Sequence, residues 1–370
     1  MRERPFRRND RFRIVNAPTD PLMRSPANAL LLCSIVCLSF LTGCKSNESR
    51  IAIEDGVLLV QGTPYDIRGI CWNPVPVGET HPTGLAFRRE SSTYSLPYLE
   101  RDLNLIADAG FNTIRTYAPI VETEVLDLIH ARGLKAIVPV YIYHAISDAE
   151  IREIVSNLKV HPAILFWEIG NEWNYNNFYN SKGSFESSVA RVREVIEIVR
   201  SIDSRLPIST NYGEIPSQEL VDSLPVDLWG INIYRSASFG DAFERWESLG
   251  DKPIYIGEYG ADAIDNRNKD GLYAPQDQEF AVVELTKLIM SEYASKKRGS
   301  VLGGAIFAFN DEWWKDGSGS PSTHDIGGIA PGGGPYPDEE FNEEWWGIVD
   351  IDRNPRPAYH AIRELYSSEK

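Results

Sequence analysis

The chain is short of cysteine, of basic charge and of long apolar runs, and each shortage closes off a class of function. Its 370 residues hold four cysteines, of which Cys33, Cys37 and Cys44 fall within the first 44 positions, so the body keeps only Cys71 as a free thiol. One thiol builds neither a disulfide framework nor a cysteine-based zinc site. The six histidines form no HExxH or other ligand-spaced cluster, so neither a metal nor a cofactor is expected. Lysine and arginine number 37 against 53 aspartates and glutamates, a formal charge of −16. That balance speaks against nucleic-acid binding and against adhesion to anionic lipid through surface charge, and it favours neutral partners. No apolar run reaches the roughly 20 residues that a membrane-spanning helix needs.

What basic charge there is lies unevenly. Residues 1–44 carry seven arginines against three acidic residues, leaving the rest at 30 basic and 50 acidic groups. Met23-Arg24 precedes an apolar stretch from Ala27 to Leu41, the length of a secretory h-region, which ends Leu41-Thr42-Gly43-Cys44. This end resembles a bacterial lipobox. The resemblance implies cleavage before Cys44, acylation of its thiol, export, and anchoring of the mature chain through lipid, each buried methylene contributing about 0.8 kcal/mol. Lys45, rather than Asp, after Cys44 implies sorting to the outer membrane. Residues 1–22 then read as an upstream extension, 45–50 as a polar tether and 51–370 as one domain. Oligomeric state is not legible.

The domain opens with a hairpin from Ile51 to Tyr65, turning at Asp55-Gly56 and again at Gly62-Thr63-Pro64. Eight β-type runs follow. They are Asp66 to Cys71, Asn112 to Tyr117, Lys135 to Tyr143, Ala163 to Ile169, Leu206 to Thr210, Asp227 to Tyr234, Pro253 to Glu258 and Gly304 to Asn310. Every interval between them contains a helical candidate. The clearest is Phe185 to Ile202, where Val192, Val195, Ile196 and Val199 share one face. A last helix, Pro357 to Tyr366, follows the eighth run. Runs that are apolar throughout suggest a parallel sheet covered by helices, and eight such units predict a closed (β/α)8 TIM barrel, an α/β fold. The excess length falls in strand-to-helix loops, above all Asp311 to Arg353, and those loops build the active face of such a barrel.

Two short apolar runs end in carboxylates 86 positions apart: Trp167-Glu168-Ile169-Gly170-Asn171-Glu172 and Ile254-Tyr255-Ile256-Gly257-Glu258. In a barrel, Glu172 at the end of strand four and Glu258 at the end of strand seven approach one mouth from opposite sides. Two facing carboxylates are what cleavage of a glycosidic bond needs, provided their surroundings separate the two pKa values. Arg115, closing strand two, is the cation to keep a neighbouring carboxylate ionised. Tyr234, closing strand six, can donate to the same group, and Asn171 offers a donor and an acceptor to a sugar hydroxyl. Glu168 shares a strand face with Glu172 and reads as an interior, paired carboxylate.

These residues lie in stretches that resemble the catalytic barrel of family 2 glycoside hydrolases, within clan A. The stretches are His161-Pro162-Ala163 through Asn171-Glu172, Asn232-Ile233-Tyr234, Lys252 through Glu258 to Asp262, and Gly347-Ile348-Val349-Asp350 with Asp352-Arg353. The likeness covers roughly Ile51 to Tyr366. It implies a retaining double displacement with Glu172 as acid/base, Glu258 as nucleophile, Asn171 on the sugar 2-hydroxyl, and Arg115 and Tyr234 orienting the nucleophile. The β-sandwich domains usual before such a barrel are not expected here, and a sibling family with a stand-alone barrel is a further reading. Where β-glucuronidases carry an Asn-x-Lys motif, this chain reads Asn342-Glu343-Glu344-Trp345-Trp346. With Asp338, Glu339 and Glu340 nearby, this loop is expected to repel a uronate, so a neutral β-linked oligo- or polysaccharide is expected.

Aromatic planes stack on sugar rings, and Trp72, Trp173, Trp313, Trp314, Trp345 and Trp346 fall in or beside predicted active-face loops, as candidate subsites or as pins for long loops. His144 is a further candidate contact. Spacing does not separate hydrolysis from transglycosylation, such as β-1,3-glucan remodelling, nor either from a barrel that binds glycans without cleaving them.

Overall fold

The computed structural model describes residues 51–76, 87, 89, 94–140, 146–176, 183–269, 272–297, 299–315 and 334–368. A small antiparallel sheet comes first, made of β1 (Ile51–Glu54), β2 (Val57–Val60) and β3 (Thr63–Pro64). It is the expected hairpin with its second turn used for a third short strand. Asp55 and Gly56 turn with φ of 50° and 79°, and Gln61 and Gly62 with 56° and 79°.

Eight parallel strands then close into a barrel: β4 (Ile67–Cys71), β5 (Thr113–Arg115), β6 (Lys135–Pro139), β7 (Ile164–Glu168), β8 (Ile208–Gly213), β9 (Leu228–Asn232), β10 (Ile254–Tyr259) and β11 (Val301–Ile306). Each pairs with the next in the chain, and β11 closes on β4. Helices α1 (Leu96–Asp108), α2 (Thr123–Ala131), α3 (Asp148–Leu158), α4 (Trp173–Asn176), α5 (Phe185–Ile202), α6 (Gln218–Ser223), α7 (Ala242–Leu249), α8 (Pro275–Ser291) and α9 (Pro357–Ser368) fill the connections. The (β/α)8 barrel expected from the eight runs is what the chain forms.

The strands are apolar throughout because both faces are covered. Every residue of β5, β6, β7, β9, β10 and β11 is buried. The helices carry the complementary one-sided pattern, and α5 buries Val192, Val195, Ile196 and Val199 on the face read from the sequence. Ser147 and Ser184 start α3 and α5 with reciprocal side-chain caps.

Strand ends differ from the sequence expectation in ways that matter. The fourth run stops as strand at Glu168, so Glu172 lies in the turn beyond it, with φ of 46°. The fifth begins later and runs on to Gly213, and the eighth lies earlier, at Val301–Ile306. Apolar content marks where a strand is buried, whereas the pairing register decides where it ends.

Candidate active site

Glu258 reaches the barrel mouth through an irregularity in β10. On the β9 side Ile256 pairs with Ile231 and Glu258 with Asn232, so two steps of β10 oppose one of β9. Such a bulge re-aims the side chain that follows it. The extra residue is Gly257, and only glycine fits there. A Cβ would sit 2.3 Å from Asn211 Oδ1 and 2.8 Å from Asn232 Oδ1.

The Glu258 carboxylate is held at both oxygens. Arg115 Nη1 donates to Oε1 at 2.8 Å, the Tyr117 hydroxyl donates to Oε1 at 2.6 Å, and the Tyr234 hydroxyl donates to Oε2 at 2.9 Å. The rest of the Arg115 guanidinium is taken by Glu168, with Nε 3.0 Å from Oε2 and Nη2 2.9 Å from Oε1. Tyr255 also donates to Glu168. Glu168 is thus the interior, paired carboxylate expected from its strand position, buried and fully engaged. Burial by itself disfavours an ionised Glu258, but Arg115, the Tyr117 hydrogen bond and Lys315 outweigh it and hold the carboxyl below its ordinary pKa.

Glu172 is placed by backbone contacts just past β7. Its N–H donates to Asn211 O at 3.0 Å, so the turn stays stitched to β8. Around it three amides form a row. Asn211 Nδ2 donates to Asn171 Oδ1 at 2.6 Å and to Asn232 Oδ1 at 2.7 Å, and Asn232 Nδ2 lies 3.2 Å from Asn171 Oδ1. Arg115 Nη2 also donates to Asn171 Oδ1, at 2.7 Å. The Asn171 oxygen is therefore committed to the protein. Burial, and then the charge of Glu258, push the Glu172 carboxyl up to about 7, against a hydrogen bond from Asn232. The two carboxyls are displaced in opposite directions within one cavity of about 400 Å³ that both of them line.

The structure brings together Glu172, Glu258, Arg115, Asn171 and Tyr234, the five residues expected to converge. Most of the tryptophans go elsewhere, which corrects their reading as subsites. Trp173 is buried, donates to Thr210 Oγ1 at 2.9 Å and stacks on Phe185, because its turn is wedged between β8 and α5. Trp313 is buried under Trp314, Trp72 donates to Asp102 at 3.1 Å, and Trp345 packs on Tyr273 and Arg356. These residues, Trp314 included, pin loops and do not line the cavity. Trp346 does line it, stacked on Phe341 beside Tyr234 and Phe307. His144 and Cys44 lie outside the described residues.

Sequence reasoning missed several residues. Tyr117 stands two positions beyond Arg115, and Asn232 two before Tyr234, so period-two alternation would have found both. Asn211 was hidden by ending strand five at Thr210. Tyr175, Glu214 and Lys315 also line the cavity and carried no local signal, whereas Glu343, which lines it too, belongs to the loop expected to repel a uronate. Lys315 lies 3.2 Å from Glu312 and 3.3 Å from Glu343, with its ammonium over the Phe307 ring. Among the described residues no group of acidic, histidine or cysteine side chains could hold a metal ion, and no helix is long and apolar enough to cross a membrane.

Comparison with known proteins agrees with this geometry. Residues 138–301 match the family described as glycosyl hydrolases family 2, TIM barrel domain. Beta-glucuronidase of Rattus norvegicus is 23% identical over 286 residues, 70% of this chain and 41% of the relative. Beta-glucuronidase of Homo sapiens is 24% identical over 343 residues, 85% of this chain and 46% of the relative. The chain thus spans less than half the length of these relatives. Among solved structures, a GH2 beta-galacturonidase from Eisenbergiella tayi bound to galacturonate superposes with a TM-score of 0.59 at 19% identity, over 86% of this chain and 54% of that one. A b-glucuronidase from Ruminococcus gnavus in complex with D-glucuronic acid gives 0.61 at 16% identity, over 86% and 52%. The likeness read from the two carboxylate segments therefore has its counterpart in the family 2 TIM barrel domain, and both Glu172 and Glu258 lie within the residues that match it.

Proposed function

We propose that this chain is a retaining glycoside hydrolase that cleaves β-linked neutral oligo- or polysaccharides. The observation that carries the proposal is the opposite displacement of two carboxyls in one cavity. Glu172 keeps its proton up to about pH 7, while Glu258 is ionised below the ordinary carboxylate range. In the first step a Glu258 oxygen attacks the anomeric carbon, the glycosidic C–O bond breaks, and the Glu172 proton passes to the leaving oxygen. In the second, the Glu172 carboxylate takes a proton from water, the water oxygen bonds to the anomeric carbon, and the ester to Glu258 breaks. Arg115, Tyr117 and Tyr234 orient the nucleophile, and Asn171 stands at the sugar 2-hydroxyl.

Charge favours a neutral sugar. The described cavity wall holds Glu172, Glu214, Glu258 and Glu343, and its ammonium, Lys315, is already paired with Glu312 and Glu343. A uronate entering there meets carboxylates and no uncommitted cation on that wall. We further propose that the Leu41–Cys44 segment directs export and lipid anchoring at the outer membrane.

A panel of aryl β-glycosides comprising glucoside, galactoside, mannoside, xyloside, glucuronide and galacturonide tests the reading. The parent is expected to cleave a neutral member with net retention, seen by NMR of the first-formed anomer, and a 2-deoxy-2-fluoro analogue should add its glycosyl mass to the peptide containing Glu258. Cleavage of uronides alone sinks the neutral assignment. Inversion, or a Glu258→Gln variant as active as the parent, sinks the mechanism.

A further inference from the structure

Among the described residues that line the cavity, Tyr175 is the one aromatic that is mainly exposed, at 65%, and it stands three positions after Glu172. Its position is built rather than incidental. The ring packs against Gly213, where a Cβ would come 2.2 Å from Cε2, 2.9 Å from Cδ2 and 3.0 Å from Cζ, so any other residue at 213 would displace the ring. Asn174 clamps that glycine from both sides, its Nδ2 donating to Gly213 O at 2.8 Å and its Oδ1 accepting from Gly213 N at 2.9 Å. Tyr175 N–H donates back to Glu172 O at 2.9 Å, which ties the ring to the turn that carries the acid.

Beside the ring stands Glu214, held in the left-handed region at φ 70° with its N–H on Asn232 O at 3.0 Å. A non-glycine residue in that conformation is uncommon and marks a side chain whose direction is imposed. Arg235 fixes its carboxylate through Nε at 2.9 Å and is itself held by Asp241 at 3.0 Å and by Phe239 O at 3.1 Å. A rigid aromatic face with an oriented carboxylate at its edge matches a pyranose ring, which offers C–H groups on one face and hydroxyl donors around its rim. Electrostatics place the same groups together: burial first, then the charges of Glu172 and Glu214, raise the Tyr175 phenol.

We propose that Tyr175 and Glu214 form the leaving-group subsite, a platform for a neutral pyranose on the aglycone side of the scissile bond, so that the natural leaving group is itself a sugar. This rests on the glycosidase reading above. The side follows from the acid: Glu172 protonates the leaving oxygen, and the platform is joined to Glu172 through its own turn.

The test compares a substrate with a sugar aglycone with one that has none, namely the β-1,3- and β-1,4-linked disaccharides and the β-glycosyl fluorides of the glucosyl, galactosyl and mannosyl series. For the sugar the parent cleaves, Tyr175→Ala should lower the ratio of kcat/KM on disaccharide to that on fluoride about tenfold, the size of one stacking contact. Tyr175→Phe should keep that ratio within about twofold of the parent, since it keeps the ring. A ratio cancels any loss of folded enzyme. If Tyr175→Ala lowers both substrates alike, or neither, the platform is wrong while the glycosidase reading stands. If the parent turns over no fluoride and no disaccharide of any series, the glycosidase reading falls and takes the platform with it.

Discussion

At Glu172 burial and the charge of Glu258 outweigh an amide hydrogen bond, whereas at Glu258 a guanidinium, a phenol and Lys315 outweigh burial, and that difference decides which carboxyl keeps its proton. The sign of the pH response follows. On the proposed mechanism Glu172 acts protonated, so kcat/KM should fall as pH rises through about 7, the value to which burial and Glu258 push it. With Glu172→Gln and a dinitrophenyl glycoside, whose leaving group needs no acid, that alkaline limb should vanish; its survival would assign it to another group. Tyr117→Phe removes a donor from Glu258 Oε1, so ionisation becomes harder. The acid limb should move to higher pH and kcat/KM should drop about tenfold or more, as expected for a hydrogen bond to a charged group. Both shifts are read from pH–rate profiles.

Among elements, β10 shows how a side chain is aimed by backbone irregularity. Gly257→Ala inserts a Cβ into the Asn211 and Asn232 oxygens, and the bulge must open. A displacement of about 1 Å at Glu258 is expected to cost about a hundredfold in kcat. Thermal unfolding should separate this from general loss of fold, and an unchanged kcat would show that the bulge yields freely. The same strand explains what was legible beforehand. Buried apolar runs between turn residues exposed the eight strands and the carboxylates at their ends. The bulge was open to inference too, since glycine within a strand marks one. The tryptophans misled because their loops were identified correctly while the direction of each ring depends on packing between elements, as at Trp173 between Thr210 and Phe185. Lys315 and Tyr175 were invisible for the same reason. Each reaches the cavity from a turn whose path only the closed barrel determines.

Over the whole molecule, two buried ion pairs hold the segment after β11, one within it and one to α1. Arg356 Nη1 and Nη2 each lie 2.6 Å from an oxygen of Asp311, and Arg353 Nε lies 3.1 Å from Asp102 Oδ1. Arg356→Ala takes the guanidinium from the buried Asp311 carboxylate and leaves it the Gly347 N–H, and a destabilisation of about 3–5 kcal/mol is expected in urea unfolding. A loss under about 1 kcal/mol would mean that water reaches Asp311 and that the pair is not what holds the segment.

One consequence comes from the row formed by Asn171, Asn211 and Asn232. Amides neither gain nor lose protons over the range in which Glu172 does, so the frame between the two carboxyls is indifferent to acidity. Crystals grown well below and well above neutrality should superpose at these three side chains, and enzyme taken through alkali and back should recover at once. Near neutrality the barrel mouth then behaves as a fixed electrode on which the Glu172 charge comes and goes, and on the proposed mechanism the rate reports how often that charge is absent.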